Sequence, residues 1–147
     1  TEAFRDYQRQ VRANADTLSD TLMKGGLDVL TGGTDTHLLQ LDLRNTDWTG
    51  KDAEERLAEV KLTVNRNTVP FDEQPPTVAS GVRIGTPAPT MRGFVEDDFA
   101  EVGQVIVEAL DPRTRSVDVG ALAARSAALC DKHPLYPGFR GFTTYVA

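Results

Sequence analysis

Arg83 is the only charged residue of a short apolar segment, "SGVRIG", in which a glycine lies two positions away on each side. Successive side chains of a strand point to opposite faces, so a strand here would place the arginine and both glycines together on the less buried face. Glycines strip that face of side chains and would let a flat ligand approach. A guanidinium fits a carboxylate with two parallel hydrogen bonds. The pattern therefore indicates a possible carboxylate clamp.

The same pattern has a plainer interpretation. Arg83 could be a solvated arginine of a strand, or it could pair with Asp72 or Glu73 in the preceding loop. Exposed ion pairs of this kind are common and contribute little to stability. The residues by themselves leave both interpretations open.

Two asparagines, Asn65 and Asn67, follow in "TVNRNT" and share one face if a strand continues through them. A side-chain amide offers both donors and an acceptor, which suits a heterocycle with mixed polar edges. The alternative is that the asparagines cap the loop that follows. That loop, "NTVPFDEQPPTVAS", contains three prolines and has no periodicity, and its length is typical of a functional or a disordered segment.

No other set of residues has the spacing of a catalytic or metal site. The glycine pair at residues 32–33 lacks the dinucleotide fingerprint, and we interpret it as a turn. His37, Cys130 and His133 do not have a zinc spacing. The four lysines fall on polar helix faces or at element ends, so none resembles a Schiff-base lysine. We therefore expect no catalytic residue and no metal ligand in this chain.

Composition and charge exclude several partners. The chain has 147 residues, a net charge of −6 and no basic stripe, which argues against nucleic acid. No run of 18 apolar residues is present, so we expect no membrane span. Cys130 is the only cysteine, which rules out an internal disulfide and fits a cytoplasmic protein.

The elements that would position these residues follow from hydrophobic periodicity. An amphipathic helix is predicted from the first residues to the glycines at 25–26, with its apolar stripe at Phe4, Tyr7, Val11, Ala15, Leu18 and Leu22. Strands are predicted at 27–30, 37–43, 62–65 and 82–85, and further helices at 51–60, at 95–110 and after a cap at Ser116. The order α-β-β-α-β-β-α-α predicts an α/β fold of two layers (α+β), in which helices pack on a small mixed or antiparallel sheet.

Three longer motifs resemble one known family. They are "TGGTDTHLLQLDL" at 31–43, "VNRNTVPFD" at 64–72 and "SGVRIGTPAPTMRGF" at 80–94. In this order, together with the spacing of the first helix and the closing "KHPLY", they resemble the C-terminal part of serine hydroxymethyltransferase. Thr31, Thr36, Ala79 and Pro89 depart from the common pattern of the family, and none of them lies in the suspected clamp.

The resemblance implies a fold and an activity. Residues 1–136 would be the small domain of a fold-type-I, aminotransferase-like pyridoxal-phosphate enzyme. Residues 137–147 would be a C-terminal tail outside the resemblance, and their short, glycine-containing sequence predicts that they lie on the surface or against a partner. The family is a transferase of one-carbon metabolism and glycine biosynthesis that converts serine and tetrahydrofolate into glycine and methylenetetrahydrofolate. Its cofactor lysine lies in a large domain that is absent from this sequence, so the chain alone is expected to be inactive. The full enzyme is expected to be a cytoplasmic homodimer or homotetramer.

The resemblance also implies two residue roles. Arg83 corresponds to the arginine that binds the carboxylate of the amino-acid substrate, and Asn67 to a residue that contacts the folate pterin. Two other hypotheses remain. One is a free-standing module that binds an amino acid or another carboxylate, and the other is the small domain of an aldolase that cleaves β-hydroxy amino acids without folate.

Overall fold

The structure is a computed structural model, and it describes residues 1–111, 117–136 and 138. Within them the chain forms four strands, one 3₁₀ turn at Leu30–Gly32 and five α-helices. The strands are β1 (Asp28–Val29), β2 (Leu38–Asp42), β3 (Asn65–Asn67) and β4 (Gly81–Gly85). The helices are α1 (Glu2–Lys24), α2 (Gly50–Glu59), α3 (Pro87–Met91), α4 (Glu96–Ala109) and α5 (Val119–Lys132).

The strands form one antiparallel sheet in the order β1-β2-β4-β3. Helices α1, α2 and α4 contribute buried side chains to the same core as the sheet, so one face of the sheet is covered and the other is open. The predicted two-layer α/β fold is confirmed. On the covered face Leu39, Leu41, Val82 and Ile84 are buried, and they alternate with more exposed residues as predicted, except that Gly81 at the start of β4 is also buried.

Helix α1 follows its predicted stripe over most of its length. Val11, Ala15, Leu18 and Leu22 are buried, whereas Phe4 is 58% exposed. Phe4 stands in the first turn, and its described ring contact is with Tyr7 at 6.1 Å between centroids. A first-turn residue can therefore continue the apolar period of a helix without reaching the core.

Two local predictions were wrong. Of the predicted strand 62–65, residues 62–64 are not in a strand, because the turn that ends α2 involves them: Lys61 has a φ of 64° and Leu62 donates its N–H to Leu57 O at 2.9 Å. The pairing segment is β3, which is shifted toward the asparagines. Helix α3 was not predicted at all. Its Pro87 lies in the first turn, where the missing N–H of proline costs nothing.

Helix α5 begins later than predicted and is anchored at its far end. Its N-cap is Asp118, which accepts from Ala121 N at 2.9 Å, whereas the predicted cap Ser116 lies outside the described residues. At the other end the buried carboxylate of Asp98 accepts from Lys132 Nζ at 2.6 Å and contacts His133 Nε2 at 2.8 Å. Burial opposes ionisation of Asp98, but these hydrogen bonds and one from Val95 N outweigh it and lower its pKa. The prediction for the tail at 137–147 falls outside the described residues, apart from residue 138.

Candidate functional site

The open face of the sheet carries the residues singled out from the sequence. Arg83 lies at its centre, directly opposite Gln40 of β2 on one side and Asn65 of β3 on the other. Its side chain is exposed, and it makes no hydrogen bond or ion pair with any other residue that the structure describes. A guanidinium has five N–H donors, so Arg83 presents a full set to whatever approaches this face.

Asp42 on the neighbouring strand and Asp72 in the preceding loop are bound by other groups. Asp42 accepts from Arg44 Nη2 at 2.6 Å and from Arg44 Nε at 3.0 Å, and this contact lowers the pKa of the Asp42 carboxyl. Asp72 is engaged by Ser80 and backbone amides. The ion pair of Arg83 with Asp72 or Glu73 is absent from the described contacts. Solvation is then the remaining plain interpretation of this arginine.

The two glycines that flank Arg83 differ in what surrounds them. A Cβ added at Gly81 would lie 2.6 Å from Leu41 O and 3.0 Å from Asn67 O, so the two neighbouring strands themselves require glycine there. A Cβ added at Gly85 would come no closer than 3.7 Å to any atom, from His37 O or Pro87 Cδ. The folded backbone therefore explains Gly81, and it does not explain why the space beside Arg83 at Gly85 is open.

Asn67 lies beside Arg83 on the same face, as the pattern predicted for the two asparagines. Its Nδ2 donates to Gln40 Oε1 at 3.2 Å and to Thr68 O at 3.0 Å. Gln40 Nε2 in turn donates to Thr68 O at 2.8 Å. The sequence analysis missed this role of Gln40, although its alternation with Leu39 and Leu41 already placed it on the open face.

The long loop after Asn67 is ordered by one carboxylate. Asp72 accepts from Val69 N at 3.1 Å, Gln74 N at 2.9 Å, Ser80 N at 2.8 Å and Ser80 Oγ at 2.7 Å. Partial desolvation opposes ionisation, but these donors outweigh it and lower the pKa of Asp72 to about 2. The loop thus joins the ends of β3 and β4 in a defined geometry. Beside Asp72, Phe71 is left 97% exposed.

Comparison with known proteins identifies the family. The sequence model of serine hydroxymethyltransferase matches residues 1–106. The chain belongs to the serine hydroxymethyltransferase family. A curated serine hydroxymethyltransferase of Acidiphilium cryptum (strain JF-5) is 47% identical over 139 residues, which cover 90% of this chain and 32% of that protein. The chain thus spans about a third of the length of this relative. The family-model match over residues 1–106 includes the open face described above.

Within residues 1–111, 117–136 and 138, no helix is long and apolar enough to cross a membrane. In that same part of the chain, no three His, Cys, Asp or Glu side chains come together as a metal site.

Proposed function

We propose that this chain is the C-terminal small domain, residues 1–136, of an enzyme that interconverts serine and tetrahydrofolate with glycine and 5,10-methylenetetrahydrofolate. The proposal is supported by membership in the serine hydroxymethyltransferase family and by the name of the 47% identical relative. The observation that favours it most within the chain is Arg83, an exposed guanidinium without a partner among the described residues on the open sheet face.

Arg83 would bind the carboxylate of serine or glycine. Its planar fork can make two parallel hydrogen bonds, which fix the rotation of the amino acid as well as its position. Pyridoxal phosphate, held by the large domain, would supply the electron sink for cleavage at Cα. Which bond breaks depends on how the amino acid is oriented, so a two-pronged grip controls the reaction through geometry. The open space beside Gly85 suits this role because nothing crowds the guanidinium there.

Asn67 would contact the pterin ring of the folate. It lies on the strand next to that of Arg83 and two strands away from Gln40, so a folate bound over the open face could meet Asn67 while the amino acid meets Arg83. Its amide is half-buried and held by neighbouring groups, which limits the entropy lost on binding. This arrangement would bring the two substrates together over one surface.

The remaining parts of the proposal concern the whole protein. The cofactor lysine would come from the large domain, so residues 1–147 by themselves should bind no pyridoxal phosphate covalently and should turn over no serine. The full enzyme would be a cytoplasmic homodimer or homotetramer that acts in one-carbon metabolism and glycine biosynthesis.

The test uses the full-length protein and its Asn67→Ala variant. With serine and tetrahydrofolate, we expect the KM for tetrahydrofolate to rise about ten-fold, the factor that corresponds to roughly 1.4 kcal/mol of lost binding. Cleavage of a β-hydroxy amino acid without folate should continue at an unchanged rate. These two readouts separate folate binding from the chemistry of the amino acid.

Each alternative has its own signature in this experiment. A folate-independent aldolase would cleave the β-hydroxy amino acid but show no tetrahydrofolate-dependent step in either protein. A free-standing binding module would bind serine or another carboxylate without turnover. Turnover of serine by residues 1–147 alone would contradict the proposed division of labour between the two domains.

A further inference from the structure

Gln40 lies at the centre of a hydrogen-bonded bridge on the open face. From its geometry we infer that Gln40 is a positioning residue, which holds the side-chain amide of Asn67 so that its Oδ1 faces the ligand as an acceptor. The inference rests on the proposed function, because it specifies how Asn67 would recognise the folate.

The direction of the bridge follows from its fixed end. Thr68 O is a backbone carbonyl and can only accept, so the NH₂ group of Gln40 must be the one that lies 2.8 Å away from it. Gln40 Oε1 then points to Asn67, whose NH₂ group must donate to it at 3.2 Å. The same Nδ2 donates to Thr68 O at 3.0 Å. Both amide hydrogens of Asn67 are thereby engaged.

The other end of the Asn67 amide is available. Its Oδ1 accepts no hydrogen bond from the residues that the structure describes. An amide that could rotate would offer either a donor or an acceptor, whereas one held by Gln40 Oε1 and Thr68 O together offers an acceptor only. The complementary ligand edge is therefore an N–H donor of a heterocycle. A ring edge that carries only acceptors would meet the oxygen of Asn67 and be disfavoured.

The reach of Gln40 depends on its length and on Gly81. Gln40 belongs to β2 and Asn67 to β3, and β4 lies between them, so the bridge spans two strand spacings of about 4.8 Å each. The β4 residue opposite Asn67 is Gly81, which has no Cβ of its own and is buried, with the side chain of Val69 against the same face. Gln40 is long enough to reach across β4 to Asn67 and Thr68.

The experiment uses the full-length protein and Gln40→Met, which keeps the length of the side chain and removes its amide. We expect the KM for tetrahydrofolate to rise about five-fold, as for the loss of one neutral hydrogen bond. The KM for serine and the folate-independent cleavage of a β-hydroxy amino acid should stay unchanged. In an Asn67→Ala background, Gln40→Met should add no further increase, because the group that it positions is gone.

Gln104→Met is the matched control, since Gln104 is exposed on α4 and makes no hydrogen bond within the described residues. It should leave every readout unchanged. If Gln40→Met lowers the thermal midpoint enough to obscure kinetics, Gln40→Leu provides a second variant without the amide.

The outcomes separate the inference from the proposed function. If Asn67→Ala raises the KM for tetrahydrofolate and the Gln40 variants do not, the positioning role is wrong and the folate site stands. Effects of the two substitutions that add fully would also contradict it. If Asn67→Ala leaves that KM unchanged, the folate role of Asn67 fails and the inference fails with it.

Discussion

Each face of the sheet carries an arginine, and the two arginines differ in whether the fold gives them a partner. On the covered face, Arg66 of β3 donates to Glu54 of α2 at 2.8 Å, and Glu54 also accepts from Arg66 N at 3.1 Å. On the open face, Arg83 of the adjacent strand has no partner among the described residues. Folding therefore accounts for Arg66 and leaves Arg83 unexplained. A side chain that the fold does not use is the better candidate for a ligand contact.

The flanking glycines repeat this contrast on a smaller scale. Gly81 is required by the closeness of Leu41 O and Asn67 O, so its presence says nothing about a ligand. Gly85 has room for a side chain, and its absence keeps the space beside Arg83 open. Gly81 thus allows the strands to pair closely, and Gly85 leaves the space beside Arg83 accessible. The difference is testable, because a methyl group at Gly81 should lower stability, whereas one at Gly85 should raise the KM for serine.

The largest expected effect is that of Arg83→Lys in the full-length protein. A lysine keeps the charge but cannot reproduce the planar fork, so we expect kcat/KM for serine to fall at least about 100-fold, or roughly 2.7 kcal/mol. Arg66→Lys is the matched control, because its ion pair with Glu54 can be kept by an ammonium group. Steady-state kinetics and thermal melting of both variants make the comparison.

Two results would contradict the view that the open face binds the substrate and the covered face does not. Near-normal affinity for serine in Arg83→Lys would remove the carboxylate role. A larger loss of activity in Arg66→Lys than in Arg83→Lys would mean that the covered face, and not the open one, controls the reaction. Equal thermal midpoints for Arg83→Lys and the unaltered protein are expected, since no described contact is lost.

Alanine at the two glycines should give the next largest effect. Gly81→Ala forces a methyl group against backbone oxygens that cannot move independently, and we expect a loss of stability of about 2–3 kcal/mol. Gly85→Ala meets only ordinary contacts, and its stability should change by less than about 0.5 kcal/mol. Its effect should instead appear as a higher KM for serine. Chemical denaturation and kinetics measure the two, and equal losses of stability would refute the distinction.

The two layers and the open face could be predicted from the sequence because they depend on patterns within single strands and helices. Alternation in β2 and β4 and the stripe of α1 depend on periodicity, which the chain itself contains. The row of Gln40, Arg83 and Asn65 could not be predicted, because strand order and register are set by pairing across distant parts of the chain. Gln40 gave no signal in isolation, since a glutamine on an open face is ordinary.

The errors have equally specific causes. Residues 62–65 have strand-forming composition, but the end of α2 uses the N–H of Leu62, so pairing starts only at Asn65. Helix α3 has only five residues and two prolines, so it carries no hydrophobic periodicity from which a helix could be predicted, although proline is compatible with a first helical turn. The carboxylate of Asp72 was considered as a partner for Arg83, whereas four closer donors within its own loop bind it.

The smallest expected effect concerns that loop, which supports the open face from its edge. The pKa of Asp72 is about 2 in the folded protein, below the value of about 3.9 for an unperturbed aspartate. Its contribution to stability is therefore complete above about pH 4 and is lost as the pH falls toward 2. Asp72→Asn should lower the thermal midpoint by a few degrees at pH 7 and flatten its decline between pH 4 and pH 2. Asp16→Asn, on the exposed face of α1, should do neither. If Asp72→Asn and the unaltered protein lose stability in parallel over that range, the loop is not held by this carboxylate. The open face would then be less rigidly supported than the covered one.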